Sequence, residues 1–147
     1  MHALAQDEAV IETRAGSSAG SRGALWAGRV LSTIGVLFLL FDSMGKLLEV
    51  PPVVAGTAEL GYPVATVFPL GVILLLCVVA YAIPGTSVLG AVLLTGYLGG
   101  ATATHVRVES PLFSHTLFPV YVGLVVWGGL FLREARLRAL LPRRDLD

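Results

Sequence analysis

Four runs of apolar residues, at 25–41, 64–83, 86–104 and 117–132, are separated by polar or proline-marked segments, and none alternates with the period of two that marks a half-buried strand. Each run approaches the roughly 20 residues that cross a hydrocarbon core as a helix. Between residues 60 and 106 there is no Asp, Glu, Lys or Arg, so that stretch holds two spans in succession. Continuous apolarity excludes a membrane barrel, whose strands alternate lipid-facing and lumen-facing residues, and lipid requires the backbone to bond to itself, as a helix does.

The connections follow from turn chemistry. Gly61, Tyr62 and Pro63 open the second span, and Pro69 falls in its first turns, where a missing N–H matters least. Pro84 and Gly85 end it sharply, so the third span returns antiparallel, and Pro119 stands near the start of the fourth. The pattern predicts an all-α, antiparallel four-helix transmembrane bundle over residues 24–135. A flexible N-terminal tail, 1–23, containing GSSAGSRG, precedes it, and a basic C-terminal tail, 136–147, follows. The first span has the look of a signal peptide, but FDSMGK follows it instead of a small-x-small cleavage site, which predicts a retained helix.

Composition agrees with a multi-pass integral membrane protein. Mean hydropathy is +0.81 and 14% of residues are charged, against roughly 25% in soluble domains. The lipid bilayer is the expected surrounding, and the plasma membrane of a bacterium the expected location. Net charge is zero, which gives no reason to expect nucleic acid as a partner. Arg14, Arg22 and Arg29 flank the first span and Arg133, Arg136, Arg138, Arg143 and Arg144 follow the fourth, while the other side holds only Lys46 and Arg107. The positive-inside rule therefore predicts both termini in the cytoplasm. The lone cysteine, Cys77, sits in an apolar run; it excludes an intrachain disulfide and two-thiol redox chemistry and is assigned no role.

The remaining ionisable residues, Asp42, Lys46, Glu49, Glu59, His105, Arg107, Glu109 and His115, collect on the non-cytoplasmic side. If the first helix continues past Phe41, Asp42 and Lys46 stand at i and i+4 in the favourable order for an ion pair. The alternative is a snorkelling lysine compensated by Asp42 at the interface. His105 closes the third span and His115 opens the fourth, which brings two imidazoles to similar depth. Such a pair suits a haem iron or a proton relay to a bound quinone, or else two helix ends bonded to loop carbonyls. No third ligand completes a metal set, so no metal is expected. Arg107 either pairs with Glu109 or joins Asp42, Lys46, His105 and His115 in a polar pocket at the outer mouth, and Tyr97 is a further candidate for it.

The third span, LLTGYLGGATATHVR at its end, carries Gly96, Gly99 and Gly100, a small-residue face that predicts close packing against a neighbouring helix of the chain. Docking of a membrane-protein partner, or of a second copy, is the other use of such a face.

The blocks FLLFDSMGKLL, LGYP, LLTGYLGGATATHVR and SPLFSHTLFPVYVGLVVWGGLFLRE, in this order over about residues 29–142, resemble the DoxX-like family of small four-helix membrane proteins. Asp42, Lys46 and the run 96–107 carry the resemblance. The family takes its name from a small membrane subunit associated with thiosulfate:quinone oxidoreductase, and the resemblance implies the four-helix membrane fold, with quinone-linked chemistry following by analogy only. No residue here reads specifically as a thiosulfate site. Two functions are therefore expected to compete: a small-molecule-binding or accessory subunit using the outer polar cluster, and a non-catalytic scaffold that docks a partner through the third span. Transport fits less well, because four spans are few and none is broken at mid-depth.

Overall fold

The computed structural model of the protein describes residues 2–140; Arg143 and Arg144 of the expected basic tail lie outside the described residues. Six α-helices follow one another: α1 (His2–Leu47), α2 (Pro51–Glu59), α3 (Val67–Ala82), α4 (Ser87–Arg107), α5 (Phe118–Arg133) and α6 (Ala135–Leu140). A short 3-10 turn, Val64–Thr66, leads into α3, and a π-helical turn, Leu112–Thr116, leads into α5. No strand occurs among the described residues.

Four segments are long and apolar enough to span a bilayer: Arg22–Leu47, Val64–Ala82, Ser87–Arg107 and Leu112–Arg133. These match the four apolar runs: the first is extended at both ends, the third at its C-terminal end and the fourth chiefly at its N-terminal end, while the second keeps nearly the same bounds. Ahead of the first span α1 runs back to His2, where the sequence pattern predicts a flexible tail. Residues 3–9, ALAQDEA, are mostly strong helix formers.

The spans form a ring in which α1 packs on α3 and α5, and α4 packs on the same two helices. Every neighbour is antiparallel, so both ends of the spanning domain lie on one side. Large apolar side chains cover the outside, with Phe41 80% and Leu124 66% exposed; such a surface suits lipid and would aggregate in water.

The core is built at the terminal end. Tyr81 is fully buried there among Leu74, Leu94 and Leu130. Its hydroxyl donates to the Val126 carbonyl at 2.8 Å and therefore accepts from Ser32 at 2.9 Å, joining α3, α5 and α1 through one oxygen. Arg133 donates to the Tyr81 carbonyl at 3.1 Å and lies over the ring, 4.9 Å from its centroid. Tyr81→Phe is expected to destabilise the bundle by about 1–2 kcal/mol, because the Ser32 hydroxyl and Val126 carbonyl both lose a partner where water does not reach. Denaturant titration in mixed micelles checks this, and an unchanged midpoint would contradict the three-helix link.

Close helix approach also belongs to this end. A Cβ on Gly28 would stand 2.8 Å from the Arg133 nitrogen, and one on Gly129 would stand 2.6 Å from the Ser32 hydroxyl, so α1 and α5 meet through paired glycines. A Cβ on Gly90 would stand 2.2 Å from the Tyr81 nitrogen, where α4 presses on α3. By contrast, Gly96, Gly99 and Gly100 have no atom of a neighbouring element within 4 Å of their Cβ positions. The expected packing of the third span through these three glycines within the chain is thus corrected. A small-residue repeat reports low bulk but not which side of the helix meets a neighbour.

Candidate functional site: a cavity opposite the termini

Pinched at one end, the bundle opens at the other around a cavity of about 1180 Å³. Its walls are largely apolar, and Cys77 and Leu98 mark its deeper part. Cys77 is a free, buried thiol. At the outer part the cavity meets Asp42, Lys46, Tyr97, His105 and His115, five of the six residues expected at the site. Helices α1, α4 and the turn before α5 deliver them from three directions.

Helix α1 continues to Leu47, so Asp42 and Lys46 do share a face and form an ion pair at 2.5 Å. The lysine side chain is 14% exposed and the aspartate 36%, which makes this pair more than a surface ornament: the ammonium lies in the wall of the cavity. Tyr97 also borders this space, and its hydroxyl has no hydrogen-bond partner among the described residues.

Two helix ends shape the rim in the same way. Glu109 follows α4 in the left-handed region at φ 54°, with Ser110 N–H bonded to the His105 carbonyl at 3.0 Å and Glu109 N–H to the Val106 carbonyl at 3.1 Å. Glu49 follows α1 at φ 47°, with Val50 N–H on the Gly45 carbonyl and Glu49 N–H on the Lys46 carbonyl. This is the Schellman arrangement, in which glycine normally occupies the left-handed position. A glutamate there costs about 1–2 kcal/mol in steric strain. The tight turn after α4 sets the Ser110 hydroxyl against His105.

The π-helical turn supplies the second imidazole. Thr116 and Leu117 donate to carbonyls five residues back, at 3.1 and 2.8 Å, which widens the turn carrying His115. The two imidazoles meet edge to face, with ring centroids 5.9 Å apart. Serine hydroxyls occupy Nδ1 of each ring, Ser110 at 3.0 Å from His105 and Ser114 at 2.8 Å from His115. Among the described residues neither Nε2 has a partner, so each ring keeps one nitrogen for another group. Whether that nitrogen donates or accepts is set by the tautomer, and the hydroxyl at Nδ1 can support either.

Arg107 is the exception among the expected residues. It does not line the cavity and does not pair with Glu109; its Nη2 donates instead to the Leu60 carbonyl at 2.7 Å. The reason is its position in the last turn of α4, from which the side chain reaches across to the segment after α2. Helix α2 itself roofs the cavity through Pro52, Val53 and Gly56. A second tie holds this roof: Thr104 donates to the Gly100 carbonyl at 2.9 Å, so Tyr62 is the donor in its 2.7 Å bond to the Thr104 hydroxyl.

All of these cavity residues fall within residues 30–129, the stretch that matches the DoxX-like family. The chain belongs to the DoxX-like family. No curated protein and no solved structure matches it.

In this DoxX-like protein the sequence pattern does not single out Tyr62, Thr104 or the two serines, although all four organise the cavity. Serine five residues after one histidine and immediately before the other is the only signal that was available, and it is a weak one. Among the described residues no group of three His, Cys, Asp or Glu side chains gathers as metal ligands would.

Proposed function

We propose that this DoxX-like membrane protein is a small-molecule-binding or accessory subunit whose outer cavity takes a quinone-like ring, with both termini in the cytoplasm of a bacterial plasma membrane. One observation carries the reading: Asp42, Lys46, Tyr97, His105 and His115 border one otherwise apolar cavity of about 1180 Å³. Ligand sites for compact organic molecules have this character, with apolar walls and a few convergent polar groups. The two free Nε2 atoms suit ring oxygens, since an imidazole can donate to a carbonyl or accept from a hydroxyl. The arginine distribution supports the orientation.

Purified protein in mild detergent is expected to gain thermal stability with quinones, and His105→Ala to weaken quinone binding by about tenfold, the loss of one hydrogen bond between neutral groups. Lack of any shift across a quinone panel would remove the reading. An absorption band of bound haem in the purified protein would replace the quinone with haem between the same imidazoles.

A second reading keeps some support from the open glycine face of α4, which has no neighbour within the chain. In it the protein is a scaffold that docks another membrane protein or a second copy of itself. Crosslinking then captures a partner, Gly96→Leu abolishes the capture and His105→Ala leaves it intact, the reverse of the ligand-binding pattern.

A further inference from the structure

The cavity is not confined to the axis of the bundle. Helix α4 turns its buried stripe, Gly90, Ala91, Leu94 and Leu98, toward the core. At about 100° per residue, Val92 and Gly96 lie on the far side of that stripe. Both nonetheless line the cavity, together with Leu93 and Gly100. On α3 the lining residues Leu70, Ile73 and Cys77 follow at i, i+3 and i+7 and form one edge of that helix. Gly71 occupies a different edge, against Lys46 and Leu47 of α1. The Leu70–Ile73–Cys77 edge of α3 and the Leu93–Gly96–Gly100 side of α4 line the same cavity, so the cavity runs through the α3–α4 seam to the lipid-facing side.

Three contacts explain why the opening is there. At the terminal end the seam is shut, with the Gly90 backbone against Tyr81. On the opposite flank of α4, Trp127 Nε1 donates to the Thr95 hydroxyl at 2.8 Å and fastens α4 to α5. Toward the aqueous side, α2 covers the mouth and is held by Arg107 on the Leu60 carbonyl and by Tyr62 on Thr104. What is left is the outer half of the seam, where Gly96 and Gly100 leave open space.

We infer that the ligand reaches the site from the bilayer between α3 and α4, and that it is an amphipathic molecule with a long apolar chain, which lies in the seam lined by Leu70, Ile73, Val92, Leu93, Gly96 and Gly100. This rests on the reading of the cavity as a site for a quinone-like ring and adds how the molecule enters and what it carries. The ring sits at the polar end beside His105 and His115, and the chain extends along an apolar path that is continuous with lipid. Burial of chain methylenes against these side chains and the lack of side chains on the two glycines provide both the contact and the room.

The experiment uses the full chain in lipid nanodiscs and two probes, tetramethylbenzoquinone and a benzoquinone with a long alkyl chain ending in a diazirine. Photolysis is expected to place the chain-end adduct on Ile73, Val92 or Leu93. Gly96→Leu and Gly100→Leu, at positions where an added Cβ meets no neighbour within 4 Å, are expected to weaken the long-chain probe by about tenfold while tetramethylbenzoquinone binds as before. Adducts on the α1–α5 side, or long-chain binding unaffected by both leucines, would overturn the lateral path while the ring site stands. Binding of neither probe to the unaltered protein would overturn the ring site and the path together.

Discussion

Gly90→Ala is expected to destabilise the bundle by about 3 kcal/mol, at the top of the range for overpacking a tight contact. The added Cβ would lie 2.2 Å from the Tyr81 nitrogen, 2.4 Å from its Cα and 2.6 Å from the Ala80 carbonyl carbon. All three are backbone atoms of α3, so no rotamer change relieves the clash; α4 must move away as a body. Moving it also disturbs Tyr81, whose hydroxyl links α1 and α5. Gly96→Ala makes the matched control, since its Cβ meets nothing within 4 Å. Denaturant titrations of the two variants in the same mixed micelles should differ by most of the predicted value, and equal midpoints would show that the α3–α4 contact is not tight.

The second large effect concerns the ion pair in the cavity wall. Asp42→Ala leaves the Lys46 ammonium, 14% exposed, without its carboxylate among apolar neighbours. Lys46→Ala leaves a carboxylate that is 36% exposed and better hydrated. Asp42→Ala should therefore destabilise more, by about 2–3 kcal/mol, below the range for a fully buried pair because solvent reaches one member. Removing both groups should cost less than the two single changes added together, with a coupling of about 1–2 kcal/mol in a double-mutant cycle. Additive effects would mean that the charges do not sense each other, as in a snorkelling lysine fully solvated at the interface.

Legibility in the sequence differed between levels of structure. The four spans were readable because lipid demands long apolar helices, and Pro84 with Gly85 marked the reversal between α3 and α4. The i to i+4 spacing of Asp42 and Lys46 was readable because the helix continues through both. The roles of glycines were not. Gly96, Gly99 and Gly100 have the familiar spacing, yet the contacts are made by Gly28, Gly71, Gly90 and Gly129, which differ only in the direction they face within the ring. Arg107 likewise lies close in sequence to His105 but reaches toward Leu60, because two residues further, about 200° around α4, it points to the roof instead of the cavity.

By itself, then, the chain of apolar runs, breakers and charges determined how many membrane-spanning helices there are and which polar residues gather near one end, but not the short helix α2 that roofs the cavity. Those properties depend on local composition, on backbone hydrogen bonding in lipid and on the length of each span. Only the tertiary structure decided which helix flanks meet, and with that where the bundle is tight and where it is hollow. A glycine packs helices or leaves a gap according to what stands opposite it, and what stands opposite is a property of the ring of helices, not of the residues around it in sequence.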